Sequence, residues 1–120
     1  MNERRTKRSA RPDEAIQYLL ESLLDRSEAR AVALVSEDRR VLAGVGMPGD
    51  LRDLRGLAGP VGRAEACPLV EDLDASTDVF SRGVSVGEKT VYLAALGTRM
   101  RRFGDAANAV ARIASEGLAI

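Results

Sequence analysis

The sequence predicts an α+β fold in which helices sandwich an antiparallel sheet of about five strands, in the order α-β-β-α-β-β-β-α. Residues 78–97 (DVFSRGVSVGEKTVYLAALG) form one β-hairpin, because Gly87 holds the first central position of a two-residue loop, as a type II′ turn requires. The returning strand, Val91–Leu96, is apolar on both faces, which places it inside the sheet with layers on each side. Segments of helical periodicity precede, separate and follow the predicted strands.

Composition limits the chemistry that the chain can perform. Its 120 residues are 45% hydrophobic, which suits a single domain with a core of its own. There is no histidine and only one cysteine, Cys67, so the usual zinc ligands and the base of a hydrolase triad are missing. We therefore expect no catalytic residue, no cofactor and no metal site. Cys67 is expected to be a small, partly buried hydrophobe rather than a reactive thiol.

Charge and hydropathy indicate where the protein works. Lys+Arg and Asp+Glu both total 18, so no global field attracts nucleic acid, and we expect no nucleic-acid partner. No apolar segment approaches the roughly 20 residues that span a bilayer, so we expect no membrane span. A single cysteine forms no internal disulfide, which favours the cytoplasm.

The first eleven residues differ in charge from the rest of the chain. They hold five basic residues against one acidic residue, a net charge of +4, which leaves −4 for the remainder. We predict that residues 1–11 are a basic disordered tail and that residues 12–120 form the single domain. The simplest interpretation of the tail is a solvated charge run. The alternative is an electrostatic arm for anionic lipid, nucleic acid or an acidic protein.

The first half of the domain is predicted to contain a helix and a hairpin. Pro12 and two acidic residues open a helix over about residues 12–28, and its apolar positions are Ile16, Leu19, Leu20, Leu23 and Leu24. A short apolar run at residues 31–35 indicates a buried strand. The chain turns at residues 37–39 and returns as a strand over residues 40–45.

A middle helix is predicted to follow, with Asp50 as its N-cap and Asp53 at the third helical position. Three glycines and Pro60 make this helix weak by propensity, so it must be held by packing against its own sheet or a second copy of the chain. Beyond it, residues 65–77 are acidic and irregular, apart from a short edge strand at Cys67–Val70. One side of the helix carries Leu51, Leu54, Leu57, Ala58 and Val61, while Arg52, Arg55 and Arg63 project elsewhere.

The II′ turn fixes the register of the second hairpin. Val86 is predicted to face Lys89, and Gly83 to face Tyr92, whose ring covers the bare glycine backbone. After a basic connection, Asp105 is predicted to cap a last helix. The inner face of that helix is Ala106, Val110, Ile113 and Ala114.

Three motif matches fail on physical grounds. Residues 44–49 match G-x-G-x-x-G, but they follow the second arm of a hairpin, and Pro48 removes a phosphate-binding N–H. Ser85 matches a nucleophile elbow, but it lies in a strand and no histidine accompanies it. The acidic run from Asp72 has the spacing of a calcium loop, but Thr77 and Gly83 replace the required Gly and Glu.

The chain resembles the roadblock/LC7 family of small dimeric regulators of Ras-like GTPases and motor assemblies, which has a roadblock/profilin-like fold. The similar stretches are AVALVSEDRRVLAGVG, DLRDLRGLAG, VFSRGVSVGEKTVYLAALG and DAANAVARIASEGL. The resemblance implies a homodimeric interaction scaffold, without enzymatic activity, that binds a small GTPase or a GTPase regulator. It also implies that Leu51, Leu54, Leu57 and Val61 lie at or under the dimer surface, with Arg52 and Arg55 available to partners.

A second functional class is compatible with helices layered on an antiparallel sheet. A GAF/PAS-like module that senses a small ligand would need an apolar cavity between sheet and helices. The small, alanine-rich faces and the 3% aromatic content favour a filled core instead.

Overall fold

The computed structural model describes residues 12–65 and 77–117. Within these ranges the elements follow the order α-β-β-α-β-β-α. The helices are α1 (Pro12–Arg26), α2 (Pro48–Gly62) and α3 (Phe103–Ala114), and the strands are β1 (Glu28–Ser36), β2 (Val41–Gly46), β3 (Asp78–Val86) and β4 (Lys89–Arg99). The strands form one antiparallel sheet in the order β2-β1-β4-β3.

The predicted α+β class is confirmed, and the strand count is corrected. About five strands were expected, whereas the described residues form four. The segment predicted as the additional edge strand, Cys67–Val70, lies outside the described residues, as does the predicted tail over residues 1–11.

The β3–β4 hairpin has the predicted register throughout. The pairs run from Asp78 opposite Gly97 to Val86 opposite Lys89, and Gly83 lies opposite Tyr92. Gly87 has φ +63°, while Glu88 is not among the residues with positive φ. That combination is the one that a type II′ turn requires.

β4 is one of the two interior strands of the sheet, as its apolar sequence predicted. It pairs with β1 on one side and β3 on the other, and its residues from Val91 to Gly97 are all buried. Its alternate side chains enter two separate clusters, one on each face of the sheet. Two layers of helix therefore stabilise the same strand.

The helices are distributed unequally over those two faces. α1 and α3 lie together on one face, where Leu20 and Val110 pack with Leu93 of β4. α2 alone covers the other face, where Leu54 and Leu57 belong to the second cluster. The lone helix therefore has flanks that no other described helix covers.

Two predicted helix caps, Asp50 and Asp105, are wrong by three residues, because the N-caps are Met47 and Arg102. α2 begins at Pro48 after Met47, because proline fixes φ at a helical value and its missing N–H needs no partner in the first turn. Asp50 thus lies in the first turn instead of capping it. α3 begins at Phe103, and the predicted cap Asp105 instead accepts a 2.9 Å hydrogen bond from Arg102 Nε.

Candidate interaction surface

The inner side of α2 is fixed to the sheet by leucines. Leu54 and Leu57 are 0% and 1% exposed. They pack on the β1 and β4 face, whose side chains include Ala31, Ala33 and Ala94. Small alanine side chains allow the helix to approach the sheet closely, so α2 is held by tertiary packing despite its weak propensity.

The structure divides the six residues of the predicted dimer or partner interface into three pairs. Leu54 and Leu57 are buried in the chain's own core. Leu51 and Val61 are partly buried against the same cluster, at the edges of α2. Arg52 and Arg55 are exposed, and with Asp53 they form the α2 outer face. Leu54 and Leu57 are therefore unavailable to a second chain without unfolding, whereas Arg52 and Arg55 are fully available and Leu51 and Val61 partly so.

The two exposed arginines of α2 have no carboxylate partner in the part of the chain that the structure describes. Neither Arg52 nor Arg55 forms an ion pair within the described ranges 12–65 and 77–117. They are three residues apart, so their side chains project from neighbouring positions on one side of the helix. The α2 outer face can therefore bind carboxylates of a partner.

An ion pair holds the N-terminal end of α2 in place. Arg30 of β1 lies 3.5 Å from the carboxylate of Asp50, measured from Nε to Oδ1. The same guanidinium donates a 3.3 Å hydrogen bond to the hydroxyl of Thr77, just before β3. Asp50 is also placed where the positive end of the helix dipole favours a carboxylate.

Polar contacts hold the C-terminal end of α2. Arg63 Nη1 donates to the Tyr92 hydroxyl at 3.3 Å, and the guanidinium carbon lies 5.8 Å from the centre of the Tyr92 ring. Arg63 also binds both carboxylate oxygens of Glu65, at 2.8 Å and 3.1 Å. These bonds keep the pKa of Glu65 below its usual value and, with the Tyr92 hydroxyl, raise the pKa of Arg63.

Close backbone packing completes this end of the helix. The Ser81 hydroxyl of β3 donates a 2.6 Å hydrogen bond to the Ala58 carbonyl oxygen. A Cβ at Gly62 would lie 2.5 Å from Tyr92 Cδ1, so only glycine fits there without movement. The roles of Arg63, Gly62 and Ser81 could not be predicted from the sequence pattern. The only available signal was the concentration of glycine in a helix that needed external support.

The two outer strands of the described sheet, β2 and β3, differ in whether another element covers their outer edges. Next to a two-residue turn the Val86–Lys89 pair is hydrogen-bonded, so the backbone groups of Ser81, Gly83 and Ser85 point away from β4. Because β3 is an outer strand of the described sheet, these backbone groups lie at its outer edge, beside α2. On β2 the Gly44 carbonyl accepts a 3.0 Å hydrogen bond from Gln17 Nε2 of α1. α1 thus covers part of the β2 edge.

A cavity of about 180 Å³ lies between the ends of the two hairpins, and its lining residues belong to none of the three motif matches considered earlier. Its lining includes Ser36, Asp38, Arg40 and Lys89. Ser36 donates a hydrogen bond to Asp38, which lowers the pKa of that carboxyl. Thr90 donates its backbone N–H to Glu37 Oε1 at 3.1 Å, which joins the two hairpin ends. The side chains of Ser36, Glu37 and Asp38 thus all have structural partners.

Comparison with known proteins supports the architecture. No protein-family model and no curated protein sequence matches the chain. A solved structure of MglB with a tetrameric arrangement superposes with a TM-score of 0.62, covering 88% of this chain and 91% of that one. The chain is similar in fold to MglB. Sequence identity to MglB is 21%, so this similarity concerns the roadblock-like fold.

The MglB likeness extends over nearly the whole of both chains. This likeness supports the resemblance to roadblock/LC7 domains at the level of fold.

Within the described residues, no helix is long and apolar enough to cross a membrane.

Proposed function

We propose that this protein is a non-enzymatic, cytoplasmic, homodimeric scaffold that binds a small Ras-like GTPase or a regulator of one. The observation that carries the proposal is the α2 outer face, in which Arg52 and Arg55 are exposed on the only described helix covering its side of the sheet. The similarity in fold to MglB supports the same interpretation.

The geometry favours recognition over catalysis. Leu54 and Leu57 fix α2 from beneath, and the Arg30–Asp50 and Arg63–Tyr92 contacts fix its two ends. A rigid helix presents its arginines with little loss of backbone freedom on binding, and such preorganisation increases affinity. In the described part of the sheet, the outer strand beside it, β3, has backbone donors and acceptors that a second chain can pair with.

The test is direct binding to the Ras-like GTPases of the source organism, each loaded with GDP or a non-hydrolysable GTP analogue. We expect binding that depends on the nucleotide state, and no GTP hydrolysis by this chain alone. Replacing Arg52 and Arg55 together by Glu should weaken binding by roughly tenfold or more, because like charges then face the partner.

The matched control is Arg112→Glu, an exposed charge reversal on α3, across the sheet from α2. We expect Arg112→Glu to bind as the unmodified protein does. The proposal would be refuted if the Arg52→Glu/Arg55→Glu protein bound with the affinity of the unmodified protein. It would also be refuted if binding did not depend on the nucleotide state, or if the protein bound none of the GTPases.

A further inference from the structure

The outer side of α1 carries an acidic stripe, which we define as Glu14, Tyr18, Glu21 and Asp25. These residues follow the spacing i, i+4, i+7 and i+11, so they form one row along the helix. At about 100° per residue, the row lies roughly 160° from the core positions Ile16, Leu20 and Leu23. It is the side of α1 that points away from the sheet.

The stripe has negative charge that the described residues do not neutralise. None of its three carboxylates forms an ion pair within residues 12–65 and 77–117. Glu21 has only a weak 3.4 Å hydrogen bond from Gln17 Nε2. The stripe therefore has a net charge of −3 and can accept cations.

Two further features of the stripe favour a ligand that carries guanidinium groups. Glu14 Oε1 is shielded from solvent and accepts no hydrogen bond, although its position faces outward. A buried oxygen of this kind costs free energy until a donor reaches it. Tyr18 is 43% exposed, which is unusual for an aromatic side chain, and its ring can stack against an arginine.

A segment with complementary charge adjoins the stripe in the same chain. Residues 1–11 contain Arg4, Arg5, Lys7, Arg8 and Arg11 against a single Glu3. The segment joins α1 directly at Pro12, so its local concentration at the stripe is high. Eleven residues reach up to ~36 Å when extended, whereas α1 is ~22 Å long. The segment is therefore long enough to reverse direction and run along the helix.

We propose that the basic segment, residues 1–11, docks on the acidic stripe of its own α1. Arginine side chains would then pair with Glu14, Glu21 and Asp25 and stack on Tyr18. Docking removes the segment from anionic surfaces, and a competing anion or high salt releases it. This inference is independent of the proposed GTPase scaffold, because it involves the face of the sheet opposite α2.

Limited trypsin digestion of the full chain tests the docking, since trypsin cuts after Arg4, Arg5, Lys7 and Arg8. We expect the stripe variant Glu21→Gln/Asp25→Asn to lose the segment about fivefold faster than the unmodified protein, because two exposed ion pairs are lost. Raising NaCl from about 50 to about 500 mM should abolish the difference, with a peptide substrate correcting for salt effects on trypsin.

The control variant Asp53→Asn/Glu88→Gln removes the same charge from α2 and from the β3–β4 turn. We expect it to be cleaved at the rate of the unmodified protein. Equal cleavage rates for the unmodified, stripe and control proteins overturn the proposal. Far-UV circular dichroism checks that all three are equally folded.

A spin label gives the location of the segment independently of protease access. The label is attached at Ser9→Cys in a Cys67→Ser background, and the amide signals of Tyr18 and Ser22 should broaden at low salt and recover at high salt. Broadening confined to any other surface overturns the proposal.

Vesicles containing phosphatidylserine distinguish a docked segment from a free membrane arm. We expect the stripe variant to bind them several-fold more tightly than the unmodified protein, because its segment is released. Equal binding of the two proteins shows that α1 does not hold the segment and refutes the proposal.

Discussion

Tyr92 organises the packing at the C-terminal end of α2 through contacts of a single ring. Its hydroxyl accepts a hydrogen bond from Arg63, and the Cδ1 and Cε1 atoms of its ring lie near both Gly62 and Gly83. A Cβ at Gly83 would lie 3.4 Å from Tyr92 Cε1, an ordinary contact, whereas one at Gly62 would lie at 2.5 Å from Cδ1. The two glycines therefore differ sharply in how much a side chain would disturb the ring.

Gly62→Ala should destabilise the fold by about 1–3 kcal/mol, because the new methyl group collides with Tyr92 and the Ser81 hydroxyl in a packed region. Chemical denaturation measures the free energy of unfolding. The matched control is Gly49→Ala in the first turn of α2, whose Cβ would meet nothing within 4 Å. That change should be neutral or stabilise by up to about 1 kcal/mol through helix propensity. Equal losses in both variants would contradict the packing argument.

Ser36 controls the ionisation of Asp38 at the hairpin end. The Ser36 hydroxyl is the main cause of the lowered pKa of Asp38, and nearby Arg40 and Lys89 add to the effect. Ser36→Ala should therefore raise the pKa of Asp38 towards its ordinary value, measured by NMR titration of the carboxyl carbon. The pKa of Glu65, lowered by Arg63, should stay unchanged as the internal control.

The sign of the pH dependence follows from the same hydrogen bond. A carboxyl with a lower pKa in the folded state contributes stability above its unfolded pKa of about 3.9, and loses it as pH falls through the folded value. The unmodified protein should thus lose this contribution only in acid, whereas Ser36→Ala should lack it at neutral pH. An unchanged Asp38 titration in Ser36→Ala would show that the hydroxyl is not the cause.

Residue-scale prediction from the sequence succeeded where one rule dominates and failed where tertiary contacts decide. The II′ turn at Gly87 gave the register of the whole β3–β4 hairpin, because a two-residue turn leaves one pairing. The role of Gly62 could not be predicted, since it depends on a tyrosine thirty residues away in the chain. The caps at Asp50 and Asp105 were wrong because a capping pattern does not specify which of several adjacent residues starts a helix.

At the scale of elements, α2 shows why apolar periodicity alone does not identify an interface. Leu54 and Leu57 have the spacing of both a core stripe and a docking stripe, and the structure places them in the core. The sequence is compatible with either the sheet or a second copy holding this helix, and the structure shows that the sheet covers its inner face. Contact with another chain must therefore use the α2 outer face, its flanks or the neighbouring strand.

The double substitution Leu54→Asp/Leu57→Asp should unfold the chain instead of yielding a folded monomer. Each change buries a carboxylate without a partner, and the combined cost exceeds about 4 kcal/mol, a large part of the stability of a small domain. Circular dichroism and thermal unfolding should show loss of the cooperative transition.

The matched surface variant is Arg52→Glu/Arg55→Glu, which alters only exposed positions of α2. Its unfolding midpoint should stay near that of the unmodified chain, measured at a protein concentration low enough to keep both monomeric. A well-folded Leu54→Asp/Leu57→Asp protein would show that α2 is not fixed to the sheet by these leucines.

At the scale of the whole molecule, the layer order could be predicted but the allocation of helices to faces could not. An apolar β4 required cover on both sides, and the structure supplies α1 and α3 on one face and α2 on the other. Nothing in helical periodicity distinguishes these faces, because each helix has one apolar side. The two faces of the molecule therefore differ in charge. The outer side of α1 is acidic on one face of the sheet, and Arg52 and Arg55 of α2 are exposed on the other.

If the proposed homodimer forms through α2, the stability of the protein should depend on its concentration, whereas the stability of a monomer should not. A partner that binds only the folded chain raises its apparent stability by mass action, so the unfolding midpoint should rise with protein concentration. For a domain of this size, an increase from about 1 to about 100 µM should raise the midpoint by roughly 5 °C. Differential scanning fluorimetry measures this shift, and light scattering after size-exclusion chromatography measures the mass.

The Arg52→Glu/Arg55→Glu protein should show a smaller shift, because repulsion between the copies opposes assembly, while Arg112→Glu should behave as the unmodified chain. A midpoint independent of concentration, together with a monomeric mass at the highest concentration, would exclude the homodimer and leave the α2 outer face to a different protein.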